Sequence, residues 1–151
     1  TEHGPQGGDE LNLVAQGRNY GWPVKSYGCN YDESKPKDAA CRIGGGTHTG
    51  YVEPKAIWVP TSTAPSGLIF YDGNQFPDWR GNVFSGALGG TTLWRIVLDG
   101  NGNAVSRQEI GAVKSLGVRI RDVRQGRDGN IYLLSNDGNG ANANRIVRLS
   151  P

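Results

Sequence analysis

Short apolar runs separated by turns rich in Asn, Asp and Gly are the feature that most constrains this chain. The turns read DGN, DGNGN and RDGN, and their residues adopt the positive φ angles that tight hairpins require. The chain also has 24 Gly and 8 Pro among 151 residues, which argues against a helical bundle. The pattern therefore predicts an all-β fold. The expected strands are Leu11–Val14, Lys55–Pro60, Gly67–Gly73, Gly81–Leu88, Thr92–Gly100, Asn130–Ser135 and Asn144–Ser150.

Part of the chain is repeated. The segment Arg80–Gly100 resembles Asp128–Ser150, and Gly81 corresponds to Gly129 in this pairing. A period of roughly 40–50 residues built from short strands is typical of a β-propeller blade. We therefore expect about three four-stranded blades.

Three blades would be too few to form a closed propeller, since known propellers have about four to eight. The cut would leave two exposed sheet edges. The remaining blades would come from a missing N-terminal half, or from a second copy in a homodimer. A complete ten-strand barrel or sandwich fits the number of strands but does not explain the repeat.

The segment at 29–50 is polar and interrupts the blade pattern, so it is predicted to be a loop insertion. Cys29 and Cys41 lie within it. A disulfide between them would close a short loop and contribute about 3 kcal/mol in an oxidising compartment. The alternative is two free thiols. The spacing does not indicate a zinc or thioredoxin-like site.

The charge balance excludes several classes of partner. Sixteen Lys and Arg against fourteen Asp and Glu give a net charge of +2, which offers no reason to expect nucleic acid binding. No apolar run approaches the ~18 residues of a membrane span. The first ten residues lack the basic and apolar regions of a signal peptide.

Carboxylates beside a Gly-Pro turn form the first candidate site. Asp9 and Glu10 follow Gly4 and Pro5 closely, and calcium binds carboxylates together with backbone carbonyls. The alternative is a solvated turn. A second calcium-like pattern at 99–103 fails, because Ala104 and Ile110 stand where the EF-hand loop needs Gly and Glu.

An arginine pair forms the second candidate site. In a strand, Arg119 and Arg121 would lie on one face, whereas Arg124 would point to the other. Two adjacent guanidinium groups suit a ligand with several carboxylate or phosphate groups. The alternative is an exposed strand in which the arginines pair with Asp122 or Asp128.

Three strings of residues resemble a known family. HGPQGGDELNLVAQGRNYGWP at 3–23, APSGLIFYDGNQFPDWRGNVFSGAL at 64–88 and RIRDVRQGRDGNIYLLS at 119–135 are similar to soluble aldose sugar dehydrogenases of the glucose/sorbosone dehydrogenase family. This family uses pyrroloquinoline quinone (PQQ). The resemblance covers most of the chain apart from the insertion. It implies that residues 1–151 are the C-terminal part of a single six-bladed propeller domain.

The resemblance also implies calcium ligands. Gly4 and Pro5 match two positions whose backbone carbonyls hold the calcium that activates PQQ. Asp9, Glu10 and the backbone carbonyl of Tyr20 match a second, structural calcium position. These five residues are the predicted metal ligands.

For the cofactor, Arg119 and Arg121 match the pair that binds the carboxylates of PQQ. A lysine that contacts PQQ in glucose-oxidising relatives would fall near Gly89 and is missing. The family's catalytic histidine lies upstream of the matched region. No catalytic role is therefore assigned within this chain, and His3 and His48 are predicted to be structural or solvent-facing.

The expected activity is oxidation of an aldose, with hydride transfer from sugar C1 to a calcium-activated quinone and onward transfer to an external electron acceptor. The protein would be periplasmic or secreted, and this chain alone would be incomplete and inactive. The alternative is a non-enzymatic, calcium-binding propeller module of the same superfamily. Retention of Arg119 and Arg121 favours the enzyme, whereas Gly89 favours the module.

Overall fold

The protein is all-β, as predicted, and its sheets are antiparallel. The computed structural model describes residues 1–32, 37–137 and 144–151. It divides into two compact units, Thr1–Ala64 and Pro65–Pro151. Within the described ranges, no helix has the length and hydropathy needed to cross a bilayer.

The first unit contains a two-stranded sheet. Strand β1 (Asp9–Leu11) pairs with β2 (Ala56–Trp58), and Glu10 lies opposite Ile57. The predicted strand Leu11–Val14 is therefore wrong in its bounds, and the side chain of Val14 is 80% exposed. The apolar pattern was misleading because two of the three buried residues of β1 are the acidic Asp9 and Glu10, whose carboxylates are hydrogen-bonded.

The predicted loop insertion is held by backbone bridges and a disulfide. Cys29 bridges to Gln6 on one side and to Arg42 on the other. Its disulfide to Cys41 joins Cα atoms 5.2 Å apart, so the bridged alternative is the one observed. The insertion contains 3₁₀ turns at Ala39–Cys41 and Ile43–Gly45. Residues 33–36 of the insertion lie outside the described residues.

The second unit contains two sheets. The first has four strands in sequential order, and the second has three. The strands of the first are β3 (Pro65–Phe70), β4 (Val83–Ala87), β5 (Thr92–Leu98) and β6 (Ala104–Glu109). Those of the second are β7 (Ile120–Gln125), β8 (Ile131–Ser135) and β9 (Ile146–Leu149). A four-residue helix, α1 (Gly111–Lys114), lies between them in the sequence, and a 3₁₀ turn spans Pro77–Trp79.

The sequence repeat corresponds to a repeat of structure. Gly81 precedes β4 with φ +78°, and Gly129 stands before β8 with φ +79°. Each is followed by a buried asparagine, Asn82 or Asn130. Only glycine adopts this left-handed conformation without strain, so the repeated sequence preserves the turn that begins each hairpin. Residues 138–143 of the second copy lie outside the described residues.

The described sheets differ in size from the predicted blades. Only one of the three has four strands; the others have three and two. The extra strand of the four-stranded sheet, β6, is polar and mostly exposed, which is why it was not among the expected strands. Sequence patterns thus identified strands with apolar residues better than the polar strand β6.

The core of the second unit lies between its two sheets. The hydroxyl of Tyr71 donates to the carbonyl of Gly129 at 2.7 Å, and the ring packs against Phe84 with centroids 6.0 Å apart. Gly86 of β4 meets Ile120 of β7, where an added Cβ would lie 2.6 Å from the Ile120 Cγ2 atom. The buried core residues are Tyr71, Phe84, Leu93, Val113, Val118, Ile120, Val123, Ile131 and Leu133.

This contact between the sheets yields a stability prediction. We expect Gly86→Ala to lower the free energy of unfolding by about 1–3 kcal/mol, because the methyl group overpacks the interface with Ile120. Gly100→Ala is the control, since its Cβ would meet nothing within 4 Å and should change stability by less than about 0.5 kcal/mol. Urea denaturation of the protein that contains this chain would measure both. Equal stabilities for the two variants would contradict the packing described here.

Candidate functional site

The loop from Gly4 to Gly8 is packed too tightly for side chains. A Cβ on Gly4 would clash with the carbonyl oxygen of Gly7, and one on Gly8 would clash with the backbone nitrogen of Gly28. The glycines of this segment therefore let the loop fold back on itself and lie against the backbone of Gly28. Gly4 and Pro5 remain half-buried.

Asp9 fixes this loop. Its Oδ1 atom accepts a hydrogen bond from the backbone N–H of Gly4 at 2.8 Å. Its Oδ2 atom accepts from the Ser62 hydroxyl at 2.6 Å and from the N–H groups of Thr63 and Ala64 at 2.6 and 2.8 Å. The side chain of Asp9 is completely buried. One carboxylate thus joins the Gly4 loop to residues that lie more than fifty positions away in the sequence.

These four bonds bear on the predicted role of Asp9. A buried carboxylate with four donors is stabilised by charge-assisted hydrogen bonds. Direct binding of calcium by Asp9 would require it to give up part of this network. The structure shows an anchoring role for Asp9, whereas its role as a ligand stays a prediction.

Glu10 lies in a buried polar cluster. The Asn12 side-chain amide donates to Oε2 of Glu10 at 3.1 Å and to Oε2 of Glu2 at 3.3 Å. The Asn12 Oδ1 atom is buried and has no hydrogen-bond partner among the described residues. On the other side, Nε2 of His48 lies 3.3 Å from Oε1 of Glu10, but without the alignment of a hydrogen bond.

Burial raises the pKa of Glu10, while the Asn12 hydrogen bond and the nearby His48 lower it by smaller amounts. A carboxyl pKa that is raised on folding stabilises the folded chain below the unfolded-state pKa. This contribution is lost as the pH rises through the folded pKa. A bound cation would reverse the balance, because it favours the ionised carboxylate.

His48 is enclosed by its own loop. Its ring is 1% exposed, and Nδ1 lies 3.2 Å from the carbonyl oxygen of Val52. Its backbone N–H donates to Glu53 at 2.9 Å, and the same carboxylate accepts from the Tyr27 hydroxyl at 2.7 Å. Burial and this hydrogen bond raise the pKa of Tyr27 to about 12. His48 therefore holds the insertion in place and is not exposed to a substrate.

The Tyr20 hydroxyl stabilises a turn, whereas the predicted calcium ligand is the Tyr20 backbone carbonyl. The hydroxyl donates to the carbonyl of Leu13 at 2.9 Å and accepts from the N–H of Ala15 at 2.7 Å. These bonds close the turn that leads from β1 towards Gly21. Across the described ranges, no three His, Cys, Asp or Glu side chains form a group that could hold a metal ion. The predicted metal site therefore depends on backbone carbonyls as well as carboxylates.

The predicted arginine pair flanks a buried residue at the start of β7. Arg119 and Arg121 are exposed, and Ile120 between them is completely buried. The Ser66 hydroxyl donates to the carbonyl of Ile120 at 2.7 Å and fixes this point of the strand. The register shifts between Ile120 and Asp122, so Arg121 lies at a bulge. Both arginines are therefore exposed, and their position side by side on one strand face stays a prediction.

Arg124 differs from the pair in its surroundings. Its Nη2 atom lies 3.0 Å from Oδ2 of Asp122, in an exposed ion pair. Asp122, one of the partners expected for Arg119 and Arg121, thus pairs with Arg124. Because Arg124 is already paired, Arg124→Ala is a suitable control for substitutions of Arg119 and Arg121.

Sequence reasoning missed several residues of the first unit. Ser62 and Asn12 were not identified, and Glu2 was not assigned as a ligand, although each contacts a predicted site residue. Nothing in the sequence connects Ser62 with Asp9, since 53 positions separate them. Asn12 and Glu2 lie within a few residues of Glu10 and could have been included as further oxygen ligands.

Comparison with known proteins adds the following findings. The glucose / sorbosone dehydrogenase family model matches residues 1–148. The aldose sugar dehydrogenase YliI of Escherichia coli is 39% identical over 151 residues, which are all of this chain and 38% of that protein.

Solved structures agree with this likeness. A crystal structure of a glucose dehydrogenase superposes with a TM-score of 0.82 at 36% identity, covering 99% of this chain and 40% of that one. The PQQ-bound aldose sugar dehydrogenase of Streptomyces coelicolor gives a TM-score of 0.64 at 28% identity, covering 99% of this chain and 38% of that one. The chain thus spans about two fifths of the length of these relatives.

The fold therefore matches part of the fold of these glucose and aldose sugar dehydrogenases. The likeness extends over nearly the whole chain. The chain belongs to the glucose/sorbosone dehydrogenase family.

The anchoring role of Asp9 can be tested by substitution. Asp9→Asn keeps the shape of the side chain but places an amide NH₂ group where a carboxylate oxygen accepts. We expect the free energy of unfolding to fall by about 2–4 kcal/mol, since buried donors lose a charged acceptor. Asp78→Asn, at an exposed position, should change it by less than about 0.5 kcal/mol. Wild-type stability for Asp9→Asn in thermal or urea melts would contradict the anchoring role.

Proposed function

We propose that this chain is part of a PQQ-dependent aldose dehydrogenase and supplies part of its calcium and cofactor site. The observation that carries the proposal is the Gly4–Pro5 loop, which Asp9 holds in a fixed shape. No donor among the described residues bonds to the carbonyl oxygen of Gly4 or Pro5. Two such carbonyls in a fixed loop are suitable ligands for a hard cation.

The polar cluster supports a second calcium position. Calcium binds six to eight oxygen atoms, and Glu10 supplies a buried carboxylate. The Asn12 Oδ1 atom is buried without a partner, which is costly unless something binds there. We assign Glu10 and the backbone carbonyl of Tyr20 to this calcium. Asp9 stays a predicted further ligand, and binding calcium would require it to give up some of its four hydrogen bonds.

The arginine pair supports the cofactor. Arg119 and Arg121 are exposed on either side of a fixed residue, and PQQ carries three carboxylates. Each guanidinium can form two parallel hydrogen bonds with a carboxylate. When bound, PQQ accepts the hydride from the sugar and calcium polarises the quinone. The arginines bind and orient the cofactor.

The sugar is assigned to a cavity of about 240 Å³ beside the loop. Pro5, Thr61 and Ser62 contribute to its lining, and Tyr31, 80% exposed, stands at its edge. An exposed aromatic ring and nearby hydroxyl groups suit the C–H face and the hydroxyls of an aldose. His48 is buried and is not among the residues that line this cavity, and we assign the base for the sugar hydroxyl to a part of the protein outside this chain.

The remaining blades and the location complete the proposal. The chain covers 38–40% of the relatives compared above, which supports a C-terminal half of a six-bladed propeller completed by an N-terminal half or a second copy. Alone, the chain should be inactive with added PQQ and calcium. The Cys29–Cys41 disulfide supports a periplasmic or secreted location, because such bonds persist in oxidising compartments. An external acceptor would take the electrons.

One observation favours a second candidate function. Gly89, in the turn after β4, has no side chain with which to contact a cofactor. A calcium-binding module without PQQ would keep the Gly4–Pro5 loop that Asp9 anchors, but would not bind PQQ through Arg119 and Arg121. The two functions differ in a direct measurement of PQQ affinity.

The cofactor assignment predicts a specific pattern of affinities. Arg119→Ala and Arg121→Ala should each weaken PQQ binding by about tenfold or more in the complete protein, because each removes charge-assisted hydrogen bonds. Arg124→Ala should weaken it by less than about threefold, since Arg124 is paired with Asp122. An absorbance titration with PQQ measures all three. Equal affinities would exclude the arginine site, and no binding by the wild type would favour the module.

The calcium assignment predicts a change in stability. At a hundredfold excess over its Kd, calcium should raise the free energy of unfolding by about 2.7 kcal/mol. Glu10→Gln should abolish most of the stabilisation that calcium provides at the second position. Without calcium, the substitution should change the free energy of unfolding little, because burial raises the pKa of Glu10 and so favours a neutral side chain. Thermal melts with calcium and with a chelator measure both effects. An unchanged melting temperature for the wild type would rule out the site.

A further inference from the structure

Besides Arg119 and Arg121, a third positively charged side chain, that of Lys114, lies at the turn between β4 and β5. The Lys114 Nζ atom donates to the carbonyl oxygen of Gly90 at 2.7 Å and lies 3.0 Å from Oε1 of Glu109. Its side chain is 44% exposed. Lys114 therefore places its ammonium group at a turn whose own residues include the adjacent glycines 89 and 90, which carry no side chains.

The position of Lys114 is fixed by its helix. Val113, the preceding residue, is 1% exposed and belongs to the hydrophobic core. The backbone N–H of Lys114 donates to the carbonyl of Ile110 at 2.9 Å. Because Val113 is buried and the backbone of Lys114 is hydrogen-bonded, the Lys114 side chain extends along the surface to the turn at Gly90.

The same end of the second unit carries the arginine pair. Ala87, the last residue of β4, lies opposite Pro65, the first residue of β3, so the turn that follows β4 is at the end where β3 begins. Gly86 packs against Ile120, the first residue of β7. Arg119 and Arg121 flank Ile120. Lys114 and the two arginines are therefore brought to one end of adjacent sheets.

Two acidic residues lie at this end of the unit. Glu109 pairs with Lys114, and Asp137 accepts the backbone N–H of Arg119 at 2.8 Å. A carbonyl oxygen and one half-exposed carboxylate are weak partners for an ammonium group, because water competes for them. A ligand carboxylate could replace the Gly90 contact without moving the lysine backbone.

We propose that Lys114 is a third cofactor-binding residue, which binds a carboxylate of the same PQQ molecule as Arg119 and Arg121. This inference rests on the proposed function. Lys114 would then provide the positive charge at the turn where Gly89 has no side chain to provide one. A tricarboxylate ligand would then meet three cationic side chains at the end of the unit.

The alternative role of Lys114 is to brace the turn. In that role it would act only through Gly90 and Glu109. Removing Lys114 or Glu109 would then loosen the turn and weaken PQQ binding in both cases. As a ligand, by contrast, Lys114 should bind PQQ better once the competing carboxylate of Glu109 is gone.

The test is an absorbance titration of the complete protein with PQQ. We expect Lys114→Ala to weaken binding by about tenfold and Lys114→Arg to stay within about threefold of the wild type. Glu109→Gln should bind about two- to fivefold more tightly. Arg124→Ala is the matched control for loss of one positive charge on the second unit. Urea melts would verify that all variants fold.

Three results would overturn the inference. One is unchanged affinity in Lys114→Ala while Arg119→Ala is weakened, which leaves the proposed function intact. Another is weakened binding in both Lys114→Ala and Glu109→Gln, which would identify a brace. The third is failure of the wild type to bind PQQ, which would remove the proposed function together with the inference.

Discussion

The buried carboxylate of Asp9 is the interaction on which the candidate site depends. It joins the N–H of Gly4 to the donors of residues 62–64, and it is fully removed from water. A charge in such a place is tolerated only when donors surround it, and here there are four. The glycine-rich loop is also held by the backbone bridge from Gln6 to Cys29 and by the close contact of Gly8 with Gly28, and the Asp9 carboxylate ties it to residues 62–64.

The sequence predicted the fold class and the strands rich in apolar residues because these depend on local signals. Asx-Gly turns and apolar runs located β4, β5, β8 and β9, and the repeat identified the equivalent glycines 81 and 129. The polar strand β6 has no such signal, since most of its residues are exposed. The bounds of β1 were wrong because two of its three buried residues are acidic, and the burial of Asp9 depends on partners more than fifty positions away.

The candidate site was predictable only in part for the same reason. Alternation along a strand drew attention to Arg119 and Arg121, and the structure exposes both while burying Ile120. Arg119 precedes β7 and Arg121 lies at a bulge, so their pairing on one face stays a prediction. Spacing alone could not show that the Asp9 carboxylate is already occupied, or that Lys114 approaches a turn 24 positions earlier. These facts arise from tertiary contacts, which no local pattern encodes.

The hydrogen bonds between the two sheets of the second unit have a consequence for how the chain acquires its structure. Tyr71 bonds to Gly129 and Ser66 to Ile120, over separations of 58 and 54 residues. Contacts this distant in sequence slow folding, because a long segment must be ordered before they form. During synthesis, β3 and β4 would be complete well before β7 leaves the ribosome. Their apolar face would meanwhile be uncovered, so this protein should depend on chaperones at that stage more than a helical protein of equal length.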